Sequence, residues 1–196
     1  MAENWRKAKG SDAGLADLIL PAYDRNLALV NAKRKELRDL DPNREVTNAM
    51  DYTLTGVNGD KLNLKSLRGK VVVLDFWATW CGPCRGQYPL YEEVKAKFKD
   101  RKDVVFLAIN TDEDHKIVKP FLDAQKWNKA VYFEDGLSRF LRVENIPATM
   151  IFDRRGNMSS RMNGYVPDRF VDMLAARIQE ALDDKPGAAT AAGGDQ

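Results

Sequence analysis

The alternation of apolar and polar residues divides this chain into three parts. Residues 1–45 carry apolar side chains at roughly helical spacing, interrupted by Pro21, which predicts an N-terminal helical extension. In residues 46–184, short apolar runs alternate with helical patterns, which indicates one α/β domain with a central sheet. Residues 185–196 are small and polar, which is typical of a disordered tail.

Strand and helix patterns alternate through the α/β part. The run Val71–Trp77 is apolar almost throughout, as expected for a strand covered on both faces. In the helix that follows it, we expect Leu90, Val94 and Phe98 on the inner face. The predicted strands span residues 52–55, 61–64, 71–77, 104–110, 130–133, 147–152 and 158–164, and the predicted helices span residues 83–99, 114–125 and 167–184.

The charge composition argues against a nucleic-acid-binding protein. Lys and Arg number 31 against 29 Asp and Glu, so the net charge is only +2, and both signs are mixed along the chain. No stretch of about 20 apolar residues predicts a membrane span, and no secretory signal is visible. We expect a globular monomer that binds no nucleic acid and has no membrane span in this chain.

The histidine and cysteine content leaves little room for a metal site. A single histidine excludes most histidine-built centres, and two cysteines are too few for a disulfide framework. A half zinc site on Cys81 and Cys84 would need two more ligands, for which only His115 and carboxylates are available. The acidic residues 112–114 could hold a divalent cation, but solvated acids at a helix N-terminus are the favoured interpretation. We expect no metal and no cofactor.

Cys81 and Cys84 lie where a predicted buried strand gives way to a predicted helix, and their spacing leaves the sulfurs within bonding reach. The N–H groups and dipole at a helix N-terminus favour an anion, so the pKa of Cys81 should fall below about 8.5. Pro83 suits the first turn, because its missing N–H has no intrahelical partner there. These features predict Cys81 as an exposed nucleophile and Cys84 as the resolving thiol. A structural disulfide, which would close too small a loop to stabilise much, and inert buried cysteines are the alternatives.

Asp75 is the one charged residue within the run Val71–Trp77. An isolated carboxylate in an apolar strand is expensive to ionise, so burial should raise the pKa of Asp75. The alternative is a place at a strand edge, with a lysine or a water molecule as its partner. Asp75 is therefore a further candidate for chemistry beside the two cysteines.

The segment Phe76–Arg85, with the sequence FWATWCGPCR, resembles the active-site signature of the thioredoxin superfamily. Together with NIPATMIFD at residues 145–153, it is similar to the TlpA/ResA group of bacterial thioredoxin-like proteins. The resemblance covers roughly residues 50–184. It implies a thioredoxin fold of the α/β class, with a central mixed β-sheet flanked by helices on both faces and a βαβ-type insertion at about 114–133.

The same resemblance implies roles for individual residues. Ile146-Pro147 aligns with a cis-proline beside the active-site disulfide, whereas the residues alone favour an ordinary proline at a strand start. Asp75 matches a buried Asp that exchanges a proton with the resolving Cys84. Gln87 stands where ResA-like proteins have a Glu, which argues against a dedicated role in reducing apocytochrome c. The residues expected to bind substrate are Trp80, Gly82, Pro83, Ile146 and Pro147.

These features favour a thiol-disulfide oxidoreductase that reduces disulfides of partner proteins and receives electrons from an upstream donor. A peroxiredoxin-like thiol peroxidase is less favoured, since that class has Thr where this chain has Ala78. The third hypothesis is a non-catalytic interaction module, against which the intact WCGPC motif argues. The resemblance implies an extracytoplasmic location, periplasmic or membrane-tethered, although the missing signal is equally compatible with the cytosol.

Overall fold

The computed structural model describes residues 2–11, 14–39, 43, 45–164 and 166–183. The chain divides into two compact units, Met1–Glu45 and Val46–Gln196. The predicted disordered tail at residues 185–196 lies outside the described residues. Within the described ranges, no helix combines the length and the apolar character that crossing a bilayer requires.

The first unit contains two helices, α1 (Ala2–Lys9) and α2 (Leu15–Asp39). Pro21 lies inside α2, so the interruption predicted at this residue is wrong. A proline inside a helix removes one hydrogen-bond donor and disfavours the helix by about 3 kcal/mol. The remaining turns of this 25-residue helix continue on both sides of Pro21.

The second unit contains strands and helices at nearly the predicted positions. Its strands are β1 (Thr53–Thr55), β2 (Lys61–Asn63), β3 (Val71–Trp77), β4 (Val104–Asn110), β5 (Val131–Phe133), β6 (Ala148–Phe152) and β7 (Met158–Asn163). Its helices are α3 (Gly82–Lys97), α4 (Val118–Gln125), α5 (Leu137–Phe140) and α6 (Pro167–Asp183). The four-residue α5 has no counterpart in the prediction, because so short a segment cannot show a helical period.

A five-stranded mixed sheet forms the centre of the second unit, in the order β5-β4-β3-β6-β7. Strands β3, β4 and β5 are parallel, whereas β6 is antiparallel to β3 and β7 is antiparallel to β6. Strands β1 and β2 form an antiparallel hairpin. The prediction of a mixed central sheet is confirmed, and α4 with β5 forms the expected insertion at one edge of that sheet.

The side chains of β3 alternate between the two faces of the sheet, and each face has its own apolar cluster. Val72 and Leu74 lie on the face covered by α5 and the β1–β2 hairpin. Val71 and Val73 lie on the opposite face, packed against α3 and α6. Asp75 has the same parity as Val71 and Val73, so its side chain lies on the face that α3 covers. The sheet therefore places this carboxyl beneath the helix that begins at the cysteine motif.

The buried face of α3 differs from the predicted one. Leu90 and Phe98, which the pattern places inside, are only half-buried at the margin of the core. The apolar period predicts the wrong face because α3 buries a polar residue, Gln87, which an apolar pattern does not include. The buried residues of α3 are Cys84, Gln87, Tyr91 and Val94.

The apolar face of α6 provides a test of this packing. Phe170 is fully buried, whereas Met173 on the same helix is 38% exposed. Phe170→Ala should lower the free energy of unfolding by about 3–5 kcal/mol, because the truncation leaves a cavity. Met173→Ala, the matched control, should lower it by less than about 1 kcal/mol. Urea unfolding followed by circular dichroism measures both, and equal losses would contradict the packing.

Candidate active site

The two cysteines lie at the start of α3, after the short loop that follows β3. Cys81 is the N-cap residue of α3, and its Sγ accepts a hydrogen bond from the backbone N–H of Cys84 at 3.2 Å. Pro83 lies in the first turn, where its missing N–H removes no intrahelical bond. The sulfur of Cys81 is therefore at the positive end of the helix dipole, where a thiolate is stabilised.

Cys81 and Cys84 are joined by a disulfide bond, with their Cα atoms 5.3 Å apart. The prediction that the sulfurs lie within bonding reach is confirmed. The prediction that Cys81 is exposed is wrong for this oxidised form, in which Cys81 is 4% and Cys84 is 6% exposed. Both residues belong to an apolar cluster that includes Trp77 and Ala78, because the N-cap geometry turns the Cys81 side chain back over the first turn of α3.

Asp75 lies in the middle of the central strand β3, between Ala108 of β4 and Thr149 of β6. The alternative of a strand-edge position is therefore wrong. The residue is 6% exposed, and its Oδ1 accepts a hydrogen bond from Nε2 of Gln87 at 3.0 Å. Burial raises the pKa of Asp75 to about 6, while the charge of Lys129 and hydrogen bonds from Gln87 and Thr149 act to lower it. The predicted rise in pKa is confirmed.

Gln87 connects the cysteine motif with this buried carboxyl. It follows Cys84 by one turn on the buried face of α3, and its amide nitrogen contacts Asp75. The amide oxygen of Gln87 is also buried and has no hydrogen-bond partner among the residues that the structure describes. The sequence identifies Gln87 as a departure from the ResA-like pattern, whereas its contact with Asp75 is visible only in the fold.

Asp112 holds the loop that leads to the cysteines. It is buried, and its carboxylate accepts hydrogen bonds from the backbone N–H and the hydroxyl of Thr79, both at 2.8 Å. The side chain of Asn110, at the end of β4, donates a further bond to Asp112 at 2.7 Å. The interpretation of Asp112 as a solvated acid is therefore wrong, because its oxygens bind the loop. The sequence signal that could have identified this role is the pair Asn110 and Asp112 at the carboxyl end of the buried parallel strand β4.

The described residues contain no cluster of three or more His, Cys, Asp or Glu side chains that could hold a metal ion. Asp114, the last acid of the segment 112–114, caps a short 3-10 helix by accepting a hydrogen bond from the N–H of Lys116 at 3.0 Å. The first and the last acid of this segment therefore both have structural roles.

Lys129 is a half-buried lysine that no pattern in the sequence identifies. It lies in the irregular segment between α4 and β5, and its Nζ is 3.8 Å from the centroid of the Trp77 ring. Burial lowers the pKa of Lys129 to about 8, while the negative charges of Asp75 and Glu92 act to raise it. No local pattern links this lysine with β3, since the two are far apart along the chain.

The residues expected to bind substrate include an exposed group at the start of α3. Trp80 is 70% exposed, and Gly82 and Pro83 beside it are exposed as well. The Ile146–Pro147 peptide bond is cis, as the resemblance implies. Ile146 packs against the apolar cluster that contains both cysteines.

A groove of about 340 Å³ lies beside this exposed group. Trp80 and Ile146 contribute to its walls, together with Ser138 at α5 and the exposed Glu144. No sequence pattern identifies Ser138, because α5 itself is not predicted, or Glu144, which lies in the irregular segment before β6.

Comparison with known proteins identifies relatives that match most of the second unit. A sequence model of the AhpC/TSA family matches residues 46–178. The chain is 32% identical over 115 residues to the thioredoxin-like protein YneN of Bacillus subtilis, covering 58% of this chain and 68% of YneN. It is 31% identical over 118 residues to the thiol-disulfide oxidoreductase ResA of Bacillus cereus, covering 59% of this chain and 68% of ResA.

The fold is similar to that of a secreted Mycobacterium tuberculosis disulfide oxidoreductase homologous to Escherichia coli DsbE. The two share 25% sequence identity with a TM-score of 0.57, and the match covers 69% of this chain and 99% of the other. The family match at residues 46–178 includes the five strands of the central sheet and the cysteine motif.

The buried carboxyl of Asp75 makes the stability of the oxidised protein depend on pH. Its pKa is about 6 in the folded state against an ordinary value of 3.8, so the folded state binds this proton more tightly than the unfolded state does. The resulting stabilisation is fully present below pH 3.8 and is lost as the pH rises through 6. The loss is on the order of 3 kcal/mol.

Asp75→Asn, which removes this titration, tests the effect. As the pH rises from about 4 to about 8, the free energy of unfolding of the oxidised wild type should fall relative to that of the variant by about 2.5 kcal/mol. Urea unfolding at several pH values measures this difference, with the exposed Asp123→Asn as the control for loss of one charge. A difference that stays constant with pH would contradict a raised pKa at Asp75.

Proposed function

Because the chain belongs to the AhpC/TSA family and is a TlpA/ResA-like thiol-disulfide oxidoreductase of the thioredoxin superfamily, we propose that it reduces disulfide bonds of partner proteins through Cys81 and Cys84. The observation that carries this proposal is the disulfide between an N-cap cysteine and a second cysteine within the first turn of α3. The thioredoxin fold, with α3 and α6 on one face of the sheet and α5 on the other, provides this strand-to-helix junction.

The first step is attack by Cys81. In the reduced protein, the helix N-terminus stabilises the Cys81 thiolate, which is the nucleophilic form of the side chain. The thiolate attacks one sulfur of a partner disulfide, so a bond forms between Cys81 and that sulfur while the partner's own S–S bond breaks. The other partner sulfur leaves as a thiolate and takes a proton from solvent.

The second step is resolution by Cys84, for which Asp75 is the proposed base. Cys84 and Gln87 share the buried face of α3, and Gln87 contacts the Asp75 carboxylate, which supports a role for this carboxylate at the resolving thiol. Asp75 takes the proton of Cys84, directly or through one water molecule. The Cys84 thiolate then attacks the Cys81 sulfur and forms the Cys81–Cys84 disulfide, while the bond between Cys81 and the attacked partner sulfur breaks. That sulfur leaves as a thiolate, takes a proton and is the second partner thiol to be released. Two electrons pass to the partner, and an upstream dithiol donor restores the reduced pair.

Substrate docking is proposed for the surface around Trp80. The exposed ring of Trp80, with Gly82 and Pro83, would contact a partner segment while the backbone of Ile146 pairs with it, beside the cis-Pro147. The adjoining groove has the room that an extended segment needs. Docking of this kind would bring the partner disulfide to the sulfur of Cys81, which is otherwise largely covered.

We further propose that the protein acts as a monomer outside the cytoplasm. The support for this location is the relative from Mycobacterium tuberculosis, which is described as secreted. Fractionation of the native host, with immunodetection of the protein, tests the location. Recovery in the cytoplasmic fraction alone would contradict it.

The function is tested by reduction of insulin with dithiothreitol as the electron donor. The wild type should accelerate the precipitation of insulin chains well above the reagent blank, and Cys81→Ser should abolish the acceleration, because no nucleophile remains. No turnover above the blank would favour a non-catalytic module. Rapid consumption of hydrogen peroxide without insulin reduction would favour a thiol peroxidase.

The proposed base is tested by separating attack from resolution. Attack is measured as mixed-disulfide formation in Cys84→Ser, and resolution as the single-turnover release of the second partner thiol. Asp75→Asn should slow resolution by about a hundredfold while changing attack much less, because attack requires no proton transfer from Cys84. Asp123→Asn, which removes an exposed carboxylate, should change neither rate. Equal slowing of attack and resolution in Asp75→Asn would contradict the assignment.

A further inference from the structure

An aromatic cage holds the ammonium group of Lys129. Its Nζ lies 3.8 Å from the centroid of the Trp77 ring, 4.6 Å from that of Trp127 and 5.3 Å from that of Tyr88. The rings of Tyr88 and Trp127 are themselves stacked, with centroids 4.0 Å apart and an angle of 16° between their planes. A cation over such faces is attracted by the ring quadrupoles, and the attraction is larger when the cation is desolvated.

The cage fixes the position of this charge relative to β3. Trp77 follows Asp75 by two residues in the strand, so both side chains lie on the same face, about 7 Å apart along the chain. Tyr88 belongs to α3, next to Gln87, which donates a hydrogen bond to Asp75. Two of the three cage rings therefore come from the strand and the helix that enclose the Asp75 carboxylate, and the third, Trp127, comes from the same segment as Lys129.

The electrostatics agree with this placement. The charge of Lys129 acts to lower the pKa of Asp75, and the charge of Asp75 acts to raise the pKa of Lys129. Glu92 acts to raise both pKa values, and Lys95 acts to lower that of Lys129. The buried Tyr91 faces the same carboxylate and stays neutral, since burial and the charges of Asp75 and Glu92 raise its pKa. Lys129 is thus the cation that offsets the burial of Asp75.

We propose that Lys129 is a positioning residue for the resolving step, because its caged charge keeps Asp75 ionised near neutral pH and so able to accept the proton of Cys84. This inference rests on the proposed function of the Cys81–Cys84 pair. Between pH values of about 6 and about 8, Asp75 is negative and Lys129 is positive. The interior of the site then carries a compensated pair of charges while Cys84 gives up its proton.

Lys129→Met is the decisive variant, since methionine retains an unbranched apolar stem within the cage and removes the charge. In the oxidised protein neither cysteine titrates, so the Asp75 carboxyl can be followed by itself with carbon-13 NMR. Loss of the Lys129 charge should raise the pKa of Asp75 by about 1. Lys129→Arg keeps the charge, and Lys102→Met removes an exposed cation just before the start of β4, so both should leave the Asp75 titration nearly unchanged.

The pH profile of the resolution rate distinguishes this role from a merely structural one, which would leave the profile unchanged. The pH at which resolution reaches half of its maximal rate should rise by about 1 in Lys129→Met, the same amount as the pKa of Asp75. Resolution should therefore be slowed nearly tenfold below pH 6. Above about pH 8, the variant and the wild type should converge, because the Asp75 carboxyl is ionised in both proteins there.

The possible outcomes separate this inference from the proposed function. An Asp75 pKa that does not move in Lys129→Met overturns the inference, even if the wild type reduces insulin as expected. A pKa that moves while the pH profile of resolution does not also overturns it, because Lys129 would then have no effect on the reaction. Absence of insulin reduction by the wild type overturns the proposed function instead.

The wild type offers a second test if Lys129→Met does not fold. The carboxyl signal of Asp75 should show its main transition near pH 6 and a smaller one near pH 8, where Lys129 loses its proton. The Lys129 side-chain nitrogen should report the same two transitions with the opposite relative sizes. Independent single transitions in both signals would overturn the coupling.

Discussion

The alternation of side chains along β3 is the constraint on which the site depends. A strand buried on both faces sends every second residue to the same side, so Asp75 and Trp77 both lie beneath α3. The same strand ends at the loop that delivers Cys81 to the helix N-terminus. A shift of β3 by one residue would turn the Asp75 carboxyl to the opposite face of the sheet, among apolar residues. The start of α3 would then no longer lie above this carboxyl.

The interior on this side of the sheet is polar to a degree that stability alone does not favour. The Asp75 carboxyl is buried there and accepts a hydrogen bond from Gln87. Three other buried atoms have no hydrogen-bond partner among the residues that the structure describes: the amide oxygen of Gln87, the hydroxyl of Tyr91 and the indole nitrogen of Trp77. Each such group costs roughly 1–3 kcal/mol relative to a satisfied one. Their concentration around Asp75 is typical of sites where local stability is given up for chemistry.

The sequence predicts the parts of the site that depend on local patterns, and it misses those that depend on contacts between distant residues. The apolar run of β3, the proline in the first turn of α3 and the cysteine spacing are all readable in a few residues. The bonds of Asp112 to Thr79 and the position of Lys129 over Trp77 join segments that only the folded sheet brings together. The cis bond before Pro147 follows from family resemblance, since single-residue preferences favour trans.

The bonds from Asp112 to Thr79 have a consequence for the encounter with a partner. The loop between β3 and α3 is tied to the end of β4 in its middle and continues into a helix, so its backbone has few alternative conformations. Ordering one residue costs about 1–2 kcal/mol of conformational entropy, and here that loss occurs once, during folding. A passing polypeptide therefore meets a reactive sulfur that is already in place, and short-lived, weakly held encounters suffice for exchange.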